Sequence, residues 1–281
     1  MIGLFHFRQG PEGRRVSSSG SALSFKGVVA LAGQFPVLAG VDLELPRGET
    51  ILLRGANGAG KTSLMRVCLG LLPVVSGQAR VLGFDVNHQK VAIRKNAFLL
   101  GHQSGLYDDL TVVENLRFAL KAARKPLDEI GRTMELLQLS GRLGDTRIGQ
   151  LSAGQRKRVG LAVLVARQPE LWLLDEPHAS LDALSRQVLG QVINDAVTRG
   201  STVVMASHEH DAALPRVDRI VFMAGGRVDH VEVIKEEASL PSTQPRVGSH
   251  DDPSIPLSPD IGESNTDTSS EAGGSGSAHV A

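Results

Sequence analysis

Gly55-Ala56-Asn57-Gly58-Ala59-Gly60-Lys61-Thr62 fits the spacing G-x-x-x-x-G-K-[ST]. Glycines in such a run let the backbone curl so that successive N–H groups face phosphate oxygens, and a helix starting at its end adds the partial positive charge of its N-terminus. Lys61 would reach the β- and γ-phosphates and the Thr62 hydroxyl would hold Mg²⁺, with Ser63 beside it in the same cradle. The run follows a strand-like segment, Thr50 to Arg54, and precedes Leu64, Met65, Cys68 and Leu69 at helical spacing. Both contexts a phosphate-binding loop requires are therefore in place, and the expected ligands are ATP and Mg²⁺.

A second oxygen donor for the metal is expected at Leu171-Trp172-Leu173-Leu174-Asp175-Glu176, an apolar strand ending in two carboxylates. Adjacent side chains at a strand end point in different directions, so Asp175 can serve the metal while Glu176 polarises an attacking water. An apolar run closed by two acids is by itself an ordinary strand end; the phosphate loop gives it weight.

Leu151-Ser152-Ala153-Gly154-Gln155 opens a further helix, with Ser152 and Gln155 spaced as a capping box. Arg156, Lys157 and Arg158 follow in its first turns, where the helix dipole favours anions. A phosphate presented to this helix end would offset that conflict.

These residues need a scaffold that brings loop tips together. Strand-like runs at Thr50–Arg54, Leu171–Leu174, Thr202–Ala206 and Arg219–Met223 alternate with helical patterns, which predicts a largely parallel α/β sheet. Gly225-Gly226 then marks a hairpin into Arg227–Val233. Between the loop and the carboxylates lies a helical block: Thr111 and Glu114 form a capping box ahead of Val113, Leu116 and Leu120. Leu127, Ile130, Met134 and Leu137 mark a second helix closed near Ser140-Gly141.

The 281 residues carry 30 basic and 30 acidic side chains, a balance that argues against a nucleic-acid binder. The zero is uneven: residues 236–281 sum to −7 and are rich in Ser, Pro and Gly, leaving +7 on residues 1–235. That composition predicts a disordered acidic tail at 236–281, a flexible extension at 1–21 and a folded domain at 22–235. One cysteine excludes an intrachain disulfide, and no stretch has the length or flanks of a membrane span or secretory signal.

Taken in order, the phosphate loop, Leu151–Gln155, Asp175-Glu176, Ala179-Ser180-Leu181-Asp182 and His208 after TVVMAS resemble an ABC ATPase over about residues 22–235. The resemblance implies a P-loop NTPase ABC cassette with a RecA-like core, an antiparallel β subdomain and a helical signature subdomain at about 104–160. It implies that Gln103 joins the metal site to the helical block, that His208 stands at the γ-phosphate, and that Asp182 lies at a dimer seam. Ser152, Ala153, Gly154 and Gln155 would act in trans on the ATP of a second cassette, so a homodimer is expected. The implied location is the cytoplasmic face of the membrane, beside integral permease subunits. Two departures stand out. Ala153 replaces a glycine of the family signature, and the aromatic that stacks on adenine is missing from Leu31–Gln34, which leaves Phe35 as the nearest ring.

Within the family, Gly101-His102-Gln103, GLYDDLTVVENLRF and LSAGQ followed by RKRVGLA are similar to the ATP-binding subunit of the cytochrome c maturation heme exporter. This resemblance implies that hydrolysis powers heme delivery through a membrane partner, with no heme bound by the chain itself. The alternatives are the ATPase of a multidrug or polysaccharide exporter, and a non-transport ABC ATPase. The latter would show two cassettes or a long coiled-coil insertion, and neither pattern is seen.

Overall fold

The computed structural model describes residues 20–101, 105–207 and 216–234. In chain order the strands are β1 (Ser21–Ala32), β2 (Phe35–Pro46), β3 (Thr50–Arg54), β4 (Val74–Val81), β5 (Phe84–Asp85), β6 (Ala97–Leu100), β7 (Leu171–Asp175), β8 (Thr202–Ala206), β9 (Arg219–Ala224) and β10 (Arg227–Val233). The helices are α1 (Lys61–Cys68), α2 (Lys90–Asn96), α3 (Val112–Ala122), α4 (Glu129–Leu136), α5 (Ala153–Arg167) and α6 (Ala183–Thr198).

The expected parallel sheet forms in the order β10-β9-β3-β8-β7-β6, with β10 antiparallel at one edge. Its central strands are buried on both faces, and their side chains alternate between two cores. Ile51, Leu53, Leu171, Leu173 and Val204 face α1 and the second sheet. Leu52, Trp172, Leu174, Val203 and Met205 face α3 to α6. Trp172 is wholly buried, and its indole N–H donates to the Pro169 carbonyl at 3.1 Å, so its one polar atom is satisfied.

The second sheet is antiparallel, in the order β2-β1-β4-β5, and closes over α1 through Phe25, Leu38 and Leu45. Its strands lie in a stretch with no clean period of two in the sequence. The register of β1 on β2 slips between Phe25 and Val28, around Gly27 at φ 57°, and this bulge breaks the alternation that would have marked the strand.

In the helical block both halves of the Thr111–Glu114 capping box are made. Leu116, Leu120, Ile130, Met134 and Leu137 are buried, whereas Leu127 is exposed and precedes α4. α4 ends at Leu136, short of the expected stop near Ser140-Gly141. Gln138 takes a left-handed φ of 54°, its N–H donates to the Glu135 carbonyl, and the Leu139 N–H reaches the Met134 carbonyl at 2.7 Å. That is a Schellman closure built on glutamine where a glycine would have signalled it.

Candidate active site

β3 delivers the chain to the phosphate loop, and two contacts fix the loop's path. A Cβ on Gly55 would lie 2.2 Å from the Met223 carbonyl oxygen, so β9 leaves room only for glycine at this position. From the β9–β10 turn, the Gly226 N–H donates to the Ala59 carbonyl at 3.1 Å, and the Gly226 carbonyl accepts from the Ala39 N–H at 2.9 Å. The glycine pair expected to make a hairpin does so, with φ 53° and 74°, and its tip also braces the loop. Gly60 caps α1 at φ 104°, and no acidic residue occupies the first turn of that helix. The N-terminus of α1 therefore faces the loop with its positive end unopposed from within the helix.

Lys61 is buried, and its ammonium donates to the Gly55 and Ala56 carbonyls at 2.6 and 3.1 Å. Burial pulls its pKa below the ordinary lysine value, while the charges of Glu176 and Asp175 oppose that shift. The Thr62 hydroxyl donates to Asp175 Oδ2 at 2.8 Å, joining the start of α1 to the end of β7. Hard oxygen donors meet here beside a curled glycine loop, a donor set that fits Mg²⁺ and the phosphates of ATP. Thr62 and Asp175 are the residues that would hold the cation.

Glu176 leaves β7 with φ 48°, a left-handed conformation unusual for a residue other than glycine. Its N–H donates to the Ala206 carbonyl at the end of β8, 3.0 Å away. The turn gives the two acids different surroundings: Asp175 stays in the sheet against Thr62, and Glu176 begins the segment leading to α6.

That segment is held by α5. The capping box of Ser152 and Gln155 is complete, and a Cβ on Gly154 would lie 2.8 Å from the Ser180 carbonyl oxygen. Lys157 donates to the Glu176 carbonyl at 2.9 Å. Arg156 donates to the Leu151 and Gly149 carbonyls and approaches Asp108, and Arg158 contributes to holding the Asp182 carboxyl below the usual range. The larger cause of that lowering is the Ser185 N–H, which Asp182 accepts at 2.7 Å as the N-cap of α6. Arg156 and Lys157 thus donate to carbonyls of their own chain.

A model of the ABC transporter family matches residues 38–179, just over half of the chain. This chain belongs to the ABC transporter family. The fold is that of an ABC ATPase cassette, and the ATP-binding subunit of an ABC transporter solved at 25% identity superposes with a TM-score of 0.69 over 76% of this chain and 90% of that one. A dimeric ATP-binding cassette in a post-hydrolysis state, bound to ADP and Pi, shares the fold with a TM-score of 0.68 at 22% identity, over 76% of this chain and 99% of that one. Among curated relatives, a sulfate/thiosulfate import ATP-binding protein of Methylococcus capsulatus is 35% identical over 79% of this chain and 66% of its own length. A cytochrome c biogenesis ATP-binding export protein of Dechloromonas aromatica is 38% identical over 63% of this chain and 87% of its own. The chain thus spans slightly less than two thirds of the sulfate/thiosulfate relative. Importers and an exporter stand at comparable identity, so similarity alone does not choose the heme-export role expected from the sequence.

In the cassette, Gly55 to Ser63 join β3 to the start of α1, Thr62 meets Asp175, and Glu176 is the next residue. Ser152 to Gln155 start α5, and Asp182 starts α6. Gln103 and His208 lie outside the described residues. Phe35 opens β2 and is 78% exposed, two residues before Val37, whose carbonyl oxygen would lie 3.1 Å from a Cβ on Gly60. Two contributors were not singled out from the sequence: Lys157, which looked like one of three equivalent cations, and Gly226, which looked only like a turn residue. Neither partner is near in sequence, so no local pattern marks them.

Proposed function

We propose that this chain is the ATP-hydrolysing subunit of an ABC exporter and that it powers heme delivery for cytochrome c assembly. The observation that carries the catalytic part is the Thr62–Asp175 contact beside the phosphate loop, with Glu176 as the next residue. Backbone N–H groups of Gly58 to Thr62 and the Lys61 ammonium bind and orient the triphosphate, and the positive end of α1 adds to the hold. Bound Mg²⁺ would neutralise charge on the β- and γ-phosphate oxygens. Glu176 accepts a proton from the attacking water as its oxygen bonds to the γ-phosphorus and the bond to the bridging oxygen breaks. Gln103 and His208 complete the set as metal-site linker and γ-phosphate contact.

Ser152, Ala153, Gly154 and Gln155 serve the ATP held by a second copy of the cassette, and Asp182 lies at the seam between the two. Phe35 offers its exposed ring to adenine. The helical block docks the permease, and the partly exposed pair Tyr107 and Phe118, packed edge to face with centroids 4.8 Å apart, supplies an apolar anchor there. Among the described residues no helix is long and apolar enough to cross a membrane, in keeping with attachment through a partner at the cytoplasmic face.

Glu176→Gln should retain ATP binding and lose turnover by about a hundredfold or more, read as phosphate release; ordinary hydrolysis by that variant would end the assignment. The exporter reading draws on the cytochrome c biogenesis relative, which the chain matches over 87% of its length. The second reading, an importer subunit, draws on the longer alignment to the sulfate/thiosulfate relatives, 79% of this chain. Expression in bacteria lacking either relative separates them: recovery of c-type cytochromes supports the first, and recovery of growth on sulfate supports the second.

A further inference from the structure

The segment that carries Glu176 is strained. Glu176 and Ser180 have φ values of 48° and 64°, two left-handed residues other than glycine within five positions. Such conformations cost on the order of 1–3 kcal/mol each and persist only where the surroundings over-determine them. Here the surroundings can be named. β8 takes the Glu176 N–H through the Ala206 carbonyl, and the Glu176 carbonyl accepts from the Ala179 N–H at 3.2 Å and from Lys157 at 2.9 Å. A few residues on, Gly154 seats the Ser180 carbonyl so closely that any side chain there would clash. Both contacts from outside the sheet come from the first turns of α5.

Lys157 is also poorly suited to a purely decorative role. It is half-buried, its long stem is spent reaching a backbone carbonyl, and it brings positive charge to the end of β7 where Asp175 and Glu176 sit together. An ammonium donating to a neutral carbonyl at 2.9 Å is a charge-assisted bond that fixes the peptide plane immediately after Glu176. That plane and the left-handed φ before it fix the Glu176 backbone, and with it the direction in which the side chain leaves Cα.

We propose that Lys157 is a positioning residue for ATP hydrolysis: by gripping the Glu176 carbonyl it aims the Glu176 carboxylate and ties the first turns of α5 to the hydrolytic centre of its own chain. The proposal rests on the reading of Glu176 as the base. It deepens that reading by giving the helix that opens with Ser152 a task within its own subunit.

The test compares Lys157→Met, Lys157→Gln and Lys157→Arg in the full-length chain, with Glu176→Gln measured alongside. The expected result is a fall in kcat of about tenfold for Met and Gln, since loss of an orienting contact misplaces a reacting group. KM for ATP and the Kd of a fluorescent ATP analogue should stay within about twofold, with Tm within about 3 °C, and Arg, which can still donate to the carbonyl, should recover most of kcat. An unchanged kcat in the Met and Gln variants, with Glu176→Gln inactive, overturns the proposal and leaves the base assignment standing. A parallel loss of ATP binding, or melting lowered by more than about 5 °C in both variants, makes Lys157 a structural prop and also overturns it. Ordinary turnover by Glu176→Gln removes the base assignment, and the proposal with it.

Discussion

The Thr62 hydroxyl donates to the Asp175 carboxylate at 2.8 Å although 113 residues separate them. The contact spans neighbouring tips of the parallel sheet, since β3 and β7 flank β8 on either side. It pre-sets the distance between the two oxygens that would share the cation, so little rearrangement is needed on binding. Asp175→Asn keeps the hydrogen bond but removes the charge. That variant should lose Mg²⁺-dependent phosphate release by about a hundredfold, the scale of removing one preorganised electrostatic group. Retention of more than half the wild-type rate at saturating MgATP would remove Asp175 from the metal site.

Phe35 is the ring nearest in sequence to the expected position for adenine, and its exposure leaves a face available. Stacking of a base on an aromatic is worth about 1–3 kcal/mol. Phe35→Ala should therefore weaken ATP binding by about tenfold in a nucleotide titration and leave kcat at saturation nearly unchanged. An unaltered Kd rejects the role.

Asn115 lies near the start of α3 and is 3% exposed, and its amide is fully used. It accepts from the Tyr107 N–H at 2.8 Å and donates to the carbonyls of Tyr107, Leu110 and Thr111. One side chain thus pins the loop that leads into the Thr111 cap. Asn115→Ala leaves these groups buried without their partner and should cost about 2–3 kcal/mol, read by denaturant unfolding. A loss below about 0.5 kcal/mol would mean the loop is held by other contacts.

His230 stacks on Phe222 with ring centroids 4.2 Å apart and sits beside Asp229 and Glu232. The hydrogen bond to Asp229 is the main cause that raises its pKa above the ordinary histidine value. A histidine with a raised folded pKa contributes stability that is fully present below the unfolded value of about 6.5 and fades as pH climbs through the folded one. The wild-type chain should melt above His230→Gln at pH 5.5, by on the order of a degree for so exposed a group, with the gap closing by pH 9. A gap that widens with pH contradicts the assignment.

The parts of the site that are short-range were legible as sequence. The phosphate loop, the 151–155 helix start and the Asp175-Glu176 strand end each follow from spacing within a dozen residues, and each is where the pattern put it. Strands β3, β8 and β9 were likewise marked by apolar runs, because burial on both faces leaves no polar interruption. What the pattern missed depends on distant backbone. The β1–β2 bulge disguised its strand, Gln138 closed α4 in a conformation that glycine usually marks, and Leu127 carried a helical phase outside the helix. Lys157 belongs with these: the carbonyl it reaches is 19 residues away, and only the packing of α5 on β7 identifies it among neighbouring cations.

Cys68, at the end of α1, is 1% exposed, and burial pushes its thiol pKa upward. A thiol so shielded has almost no thiolate to offer a reagent while the core is closed. It is the single cysteine of the chain, so the rate at which a thiol reagent labels the native protein is a clock for core opening with one hand. Because α1 begins at the phosphate loop, nucleotide that grips the loop should slow that clock, and the protein reports its own occupancy through an atom the nucleotide never touches.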